Sequence, residues 1–435
     1  MQQKIRNLIF TAAIAAAGTN AAEVDSRAID SAFSYGLATE TDVSMQSELV
    51  LVPGIELTLA RHASLIASAR VRLDAHDALE PGKPSYDTYS TASKPVNLGN
   101  TGSVDIRDFY LEFQSDSGLT RLGKQQIVWG RLDGIKVLDL VNPQDFREFI
   151  IDDFGDSRIG LWSAYFDYSF GKWRAELAVV PDSTGHAIPD SGAFFELTAP
   201  RFRFGANQGE GTLPIVTVRP GLSLRDTAVG LRMSRQFNAV EFSAVAYTGM
   251  DPEPLGRIAS RGGEPVVERF YERRDAFGFS FDLGLGSAVL RAEYAFQPER
   301  TFNSRSAEQL TTLARDQHRG AMGLDIDGPL GVFINIQYLV DTVADAPPDL
   351  VRPAADRIGT LYVRRTFAYD ALALEARWYR SFTDEDQLAS VSIAYTLNES
   401  TSVELGAEYS SGTPEGLFGQ FADRDRVTVS LRHTF

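Results

Sequence analysis

The chain of 435 residues contains no cysteine. That excludes disulfide stapling, thiolate metal sites, thioether-linked c-type haem and a lipid anchor on an N-terminal cysteine. Histidine is scarce, with His62, His76, His186, His318 and His433 scattered along the chain. Neither G-x-S-x-G nor H-E-x-x-H occurs, so the usual nucleophile–base and zinc-hydrolase signatures are missing and no enzyme is expected. No cofactor is implied. Beyond residue 18 no run approaches the ~20 apolar residues of a membrane-crossing helix. Positive charge is in the minority: 58 acidic against 42 basic residues leave −16, which argues against nucleic acid as a partner.

What is present starts at the N-terminus. MQQKIRN carries Lys4 and Arg6, LIFTAAIAAAG is a short apolar stretch, and TNAA offers small residues before Glu23. This is the pattern of a secretory signal peptide over 1–22, too short in its apolar part to anchor a membrane. Export is expected, followed by a single domain over 23–435.

Downstream, helical periodicity is almost absent and alternation with period two keeps returning. In ALALEARWYR, Leu372, Leu374, Ala376 and Trp378 oppose Glu375, Arg377 and Tyr379. In SVELGAEYS, Val403, Leu405, Ala407 and Tyr409 oppose Glu404, Gly406 and Glu408. Strands are expected near 28–41, 46–58, 64–74, 104–114, 118–128, 158–169, 172–181, 224–236, 239–249, 270–283, 287–297, 315–326, 330–342, 356–368, 370–383, 386–397, 400–411 and 424–435. Short turns alternate with longer segments near 75–103, 129–157, 182–223, 250–269, 298–314, 343–355 and 412–423. Segregated loop lengths distinguish an outer-membrane barrel from a soluble sandwich, which shows the same alternation. The fold expected is an all-β, transmembrane, antiparallel barrel of about 18 strands (16–18), with short periplasmic turns and long extracellular loops. Lipid offers no hydrogen-bond partner, so the last strand must close on the first.

The alternation breaks in 121–162, RLGKQQIVWGRLDGIKVLDLVNPQDFREFIIDDFGDSRIGLW. A short helix is expected within 137–151, interrupted at Asn142-Pro143. Val137, Leu138, Leu140, Val141, Phe146, Phe149, Ile150 and Ile151 make the segment too apolar for a solvated loop. Two readings stand: a constriction folded into the barrel over 129–157, or an ordered outer loop packed on its neighbours. The constriction reading singles out Trp129, Arg131, Asp133, Asn142, Pro143, Asp145, Arg147, Asp156 and Arg158. The pattern Arg121-Leu-Gly-Lys-Gln-Gln, Val128-Trp129-Gly130, Val141-Asn142-Pro143 with Asp145, Asp156-Ser-Arg158 and Trp162 resembles a family of proteobacterial outer-membrane proteins catalogued only as a domain of unknown function. The resemblance implies a porin-like barrel and names no substrate. Specific-channel porins of 18 strands, similar at the level of fold, place a folded-in loop in the lumen.

Alternation also assigns a lumen face: Arg70, Arg72, Asp74, Glu112, Arg174, Glu176, Arg291, Glu293, Glu375, Arg377, Glu404, Glu408 and Arg432. Opposed rows of Arg and carboxylate would set up a transverse field that orients polar solutes; the plainer reading is mutual structural pairing. Asp152, Asp153 and Asp156 offer oxygen ligands for Ca²⁺, but their spacing misses the EF-hand pattern and a solvated acidic turn is simpler. Arg201, Arg203 and Arg219 suggest either a basic mouth or an ordinary loop. In the final strand Val427, Val429, Leu431, His433 and Phe435 are expected to face lipid, with Val427, Val429, Leu431 and the terminal Phe435 serving as an assembly signal. The partners expected are the lipid bilayer and lipopolysaccharide, the outer-membrane assembly machinery and a small solute. The function expected is passive diffusion of that solute, the alternative being a non-conducting barrel or the outer component of a lipid or hydrophobic-compound export system.

Overall fold

In the computed structural model, residues 23–25, 30–39, 43–132, 134–151, 154–206, 213–218, 226–306 and 309–435 are described. The segment 1–22 and residues Asp133, Asp152, Asp153 and Arg219 lie outside them. The chain forms a closed antiparallel barrel of 18 strands: β1 (Asp30–Ala38), β2 (Val43–Val52, resumed as Gly54–Ala60), β3 (Ala63–Asp74), β4 (Gly102–Ser115), β5 (Gly118–Gln125), β6 (Leu161–Phe170), β7 (Trp173–Val180), β8 (Ala228–Phe237), β9 (Val240–Met250), β10 (Arg273–Gly284), β11 (Ala288–Ser306), β12 (Gln309–Asp327), β13 (Val332–Val343), β14 (Ala355–Phe367), β15 (Leu372–Ser381), β16 (Gln387–Asn398), β17 (Thr401–Ser411) and β18 (Arg426–Thr434). Pro53 divides β2 because it has no N–H to give the ladder. Each strand pairs with the next, and β18 returns to β1 from Thr434 opposite Asp30 to Arg426 opposite Ala38. Among the described residues no barrel strand is left with an unpaired edge for lipid to desolvate.

The two faces are inverted relative to a soluble protein. Phe33, Phe277, Phe279, Ile336, Val391, Leu405, Val429 and Leu431 point outward and are exposed, while Ser243, Ser280, Gln297, Gln317 and Gln337 are buried on the inside. Alternation makes this possible, since a pleated strand sends successive side chains to opposite faces. Turns at 61–62, 116–117, 171–172, 238–239, 285–287, 328–331, 368–371 and 399–400 share one rim with Asp30 and Thr434. The segments 75–101, 126–160, 181–227, 251–272, 344–354 and 412–425 share the other.

Three expectations are corrected. The segment 298–314 is mostly strand, because β11 and β12 continue past a bulge between Gln297 and Arg300 into a tall hairpin. Its sequence keeps alternating, and the buried Asn303 amide bonds the N–H and C=O of Gly256 at 2.9 and 2.7 Å. The segment 250–269 contains a second hairpin, Leu255–Arg261 with Glu264–Phe270. Gly262-Gly263, both with positive φ, supply its tight turn. Residues 137–151 form no helix. Pro143 has no N–H and pushes Asn142 out of the helical region. The Asn142 amide instead accepts from Ile127 N–H at 2.7 Å and donates to Ile159 C=O at 2.7 Å.

Candidate functional site

The barrel interior has two unlike arcs. From β7 to β13 many inward positions carry no bulk: Ala178, Ala228, Gly230, Ala276, Gly278, Ala295, Ala321 and Gly323. The segment 126–160 leaves β5 and lies against them. Ile127, Trp129, Leu132, Ile135, Val137, Leu138, Leu140 and Val141 form one buried cluster with that wall. The fit is close: a Cβ on Gly230 would stand 2.5 Å from the Trp129 ring, one on Gly278 2.5 Å from Leu138, and one on Gly323 2.8 Å from Leu132. Glu293 accepts the backbone N–H of Leu138 at 3.0 Å and that of Arg131 as well. A mid-strand carboxylate on the inner wall thereby satisfies two donors of an irregular backbone. Arg131 pairs with Glu241 and lies 3.7 Å from Asp282.

The opposite arc, β15–β18 with β1–β4, is charged and faces a cavity of ≈ 840 Å³. Arg70, Arg72, Glu375, Arg377, Glu404, Glu408 and Arg432 all line it. Glu375 binds Arg364 at 3.2 Å and Arg377 at 3.6 Å, and Glu408 binds Arg426. Glu404 and Arg432 have no ion pair among the described residues. The remaining lumen candidates lie elsewhere. Glu176 accepts from Arg232 at 2.9 Å and Tyr165 at 2.5 Å. Glu112 binds Arg121 at 2.7 Å, Arg174 binds Asp167 at 2.5 Å, and Arg291 binds Asp325. Asp74 accepts Ser47 N–H at 3.1 Å.

Where the loop meets the charged arc, Arg147 is held by Glu48 at 2.7 Å, Glu80 at 2.8 Å and Glu148 at 3.2 Å. Arg426 binds Glu148 at 2.8 Å, which ties the loop to β18. Burial alone would lower the Arg147 pKa, but Glu48 and Glu80 outweigh it and raise it. Asp145 lies 3.4 Å from Arg72 and 3.7 Å from Arg70. Asp156 binds Arg107 at 2.5 Å and Arg158 binds Asp139 at 2.7 Å. Burial would raise the Asp156 pKa, yet Arg107 holds it below the usual range. Pro143 is fully buried and its carbonyl accepts Ile159 N–H at 3.0 Å. Among the described residues no three His, Asp or Glu gather as a metal site.

His186 fastens the loop from outside. Its Nδ1 accepts Gln144 N–H at 2.8 Å and its ring stands 5.2 Å from that of Phe146. Burial lowers its pKa to about 4, with Glu253 and Asp251 opposing. Above this, Phe149, Phe195, Phe418 and Phe421 from three long-rim loops cluster with Tyr379 and Leu388 of the wall. Of the three arginines considered for a basic mouth, Arg201 binds Asp356 at 3.1 Å and Asp384 at 2.6 Å, and Arg219 lies outside the described residues. At the chain end Val429, Leu431 and Phe435 are exposed while Thr428, Ser430 and Arg432 line the cavity. Val427 is half-buried, and His433 packs edge-on against Phe435.

Sequence reading missed Glu48, Glu80, Glu148 and Arg426. Arg426 was available, two residues before Thr428 on the same face; Glu48 was hidden among the apolar residues of VSMQSELVLV.

Solved structures share the architecture. OccAB1 of Acinetobacter baumannii matches with a TM-score of 0.53 and 8% identity over 95% of this chain and 96% of that one. The outer-membrane protein OpdK of Pseudomonas aeruginosa matches with a TM-score of 0.50 and 8% identity over 95% and 99%. These likenesses concern the fold alone. No curated protein matches the chain. A family model matches residues 30–321, from the first barrel strand through the folded-in segment to β12, and the chain belongs to that family, described as protein of unknown function (DUF1302).

Proposed function

We propose that this protein is a passive channel of the bacterial outer membrane, narrowed by its own 126–160 segment. The observation that carries the reading is the division of the barrel interior. The segment fills the β7–β13 arc, and the remaining arc faces an ≈ 840 Å³ cavity lined by charged and polar groups. Such a lining suits water and polar solutes, since a charge facing water avoids the cost of desolvation. Arg70, Arg72 and Arg107 share the cavity with Glu375, Glu404 and Glu408, but Glu48, Asp108, Arg377, Arg426 and Arg432 line it as well, so the field acting on a dipolar solute is local to each pair. The short-turn rim would be periplasmic, with Phe435 in its aromatic girdle, where the assembly machinery would read it with Val427, Val429 and Leu431. The long loops would meet lipopolysaccharide. No covalent chemistry is assigned to the chain.

Planar-bilayer recording of the refolded protein tests the reading. Discrete conductance steps are expected, and their absence in every salt would sink it. Deleting 137–151 should enlarge each step; unchanged steps would reject the constriction. The non-conducting alternative has one observation in its favour, the aromatic cluster of Phe149, Phe195, Phe418 and Phe421 across the long-loop rim. It predicts silence that persists after the deletion.

A further inference from the structure

Glu48 on β2 and Asp74 on β3 stand directly opposite each other in the ladder, and both are buried. Like charges in that relation repel, so each needs a cation or a donor. Glu48 has one, since Arg147 reaches its two oxygens at 2.7 and 3.3 Å. Asp74 does not. Its Oδ1 accepts the backbone N–H of Ser47 and that of His76, each at 3.1 Å. Its Oδ2 has no hydrogen-bond partner among the described residues, although the residue is only 7% exposed. A carboxylate oxygen left unmet in a buried place is unfavourable.

Glu48 and Asp74 line a cavity of ≈ 20 Å³ together with Asp77 and Glu80 of the 75–101 segment. A water needs about 10–15 Å³ of such space, so the cavity takes one small group. Arg72 and Arg147 line it too, but each also serves a carboxylate outside it. Arg72 lies 3.4 Å from Asp145, and Arg147 holds Glu148 at 3.2 Å as well as Glu80 at 2.8 Å. Four carboxylates thus face two shared cations, and the balance is negative. Asp77 makes no ion pair among the described residues; its Oδ2 accepts Gly82 N–H at 2.7 Å. Burial and the charge of Glu80 push the Tyr86 hydroxyl on the same wall above its usual pKa. Asn100 and Thr101 line the cavity and are exposed, so it meets solvent on the long-loop side.

We propose that this cavity is a binding site for a small ammonium ion, methylammonium in size, received by the Asp74 carboxylate. An ammonium head carries three N–H donors on one compact charge. It supplies the partner that Asp74 Oδ2 lacks and leaves donors for Asp77 and Glu80, and an aromatic ring such as that of Tyr86 attracts a cation. A metal ion suits the place less well. It needs several oxygens converging on one point, and no three acidic side chains do so among the described residues. The bound ion ties the 75–101 segment to the strand that carries Asp74. The site goes beyond the channel reading and does not depend on it.

The test is calorimetric titration of the full chain folded in detergent, at constant ionic strength, with methylammonium, tetramethylammonium and calcium chlorides. Methylammonium should bind at least tenfold more tightly than tetramethylammonium, which has the charge but no N–H donor. Asp74→Asn keeps an acceptor for Ser47 and His76, removes the charge, and should weaken methylammonium tenfold or more. No binding of methylammonium to the wild type, equal binding of tetramethylammonium, or unchanged affinity in Asp74→Asn would overturn the proposal. Tighter binding of calcium would overturn it in favour of a metal site. Heat-modifiable migration reports whether each variant is folded. If Asp74→Asn does not fold, Asp77→Asn decides: a severalfold loss is expected, and an unchanged affinity counts against the site. Binding is read without a bilayer, so a protein that conducts but does not bind loses only this site.

Discussion

Along β7–β13 the inner wall sets alanine and glycine beside its paired charges and is covered by the protein's own chain; along β15–β18 and β1–β4 it is charged and faces open space. Both arcs follow the same alternation. They differ in what the inward positions carry, and that difference places the loop. Where alanine and glycine stand inside, a ring such as Trp129 approaches the backbone and excludes water, so dispersion and the hydrophobic effect hold the segment. Where Arg and Glu stand inside, the same approach would strip hydration from charges, and only matched carboxylates bring the loop near, as at Arg147. One arc holds the segment mainly by shape, with Glu241 and Glu293 adding polar ties, the other by ion pairing.

The largest expected effect comes from breaking the ionic side. Arg147→Leu takes the shared cation from Glu48 and Glu80, leaving Glu148 to Arg426, and should cost about 4 kcal/mol, read as a lower urea midpoint in vesicles. If the midpoint holds, the carboxylates are solvated and the ionic arc is not what fastens the loop. On the apolar side Trp129→Ala should cost about 3–4 kcal/mol through the cavity it leaves. It should also make the 126–160 segment cleavable by protease at the unchanged barrel.

Acid offers an intermediate effect through His186. Its pKa is lowered from 6.5 to about 4, so between those values the unfolded chain binds more protons than the folded one. Stability is full above pH 6.5, falls as pH drops through the window, and is lost to the extent of up to about 3 kcal/mol below pH 4. Protonation would also give Nδ1 a proton facing Gln144 N–H. His186→Phe should flatten midpoint against pH across that window, and an unaltered slope would remove His186 as the fastening. Gly230→Val should press on the Trp129 ring and cost about 2 kcal/mol, with larger conductance steps as the loop is displaced. The smallest effect is Arg174→Gln, which removes a half-exposed pair with Asp167 and should change stability by less than about 1 kcal/mol.

Much of the fold was legible because alternation is a local property, read residue by residue. The tall β11–β12 hairpin was shortened in that reading because the bulge between Gln297 and Arg300 shifts the phase there. The helix expected in 137–151 failed for a related reason. The break in alternation left room for a helix, but the Asn142 side chain satisfies backbone groups of Ile127 and Ile159, partners no local pattern reveals. Lumen-facing charges such as Arg70, Glu375 and Glu408 followed from strand phase. Their partners did not: Arg147 meets Glu48 across 99 positions of sequence. The groove for Trp129 was equally silent, since alanine and glycine carry almost no signal in a hydrophobic pattern.

By itself, then, the sequence determined that the chain closes an all-β barrel with apolar residues outside and polar ones inside, because period two and the backbone's need for partners in lipid leave little choice. It also marked 121–162 as the place where that rule breaks. Only the tertiary structure decided which arc the segment covers and which carboxylates gather on Arg147. Those outcomes depend on side chains brought within a few ångströms from distant strands, and packing and desolvation are settled only at that range.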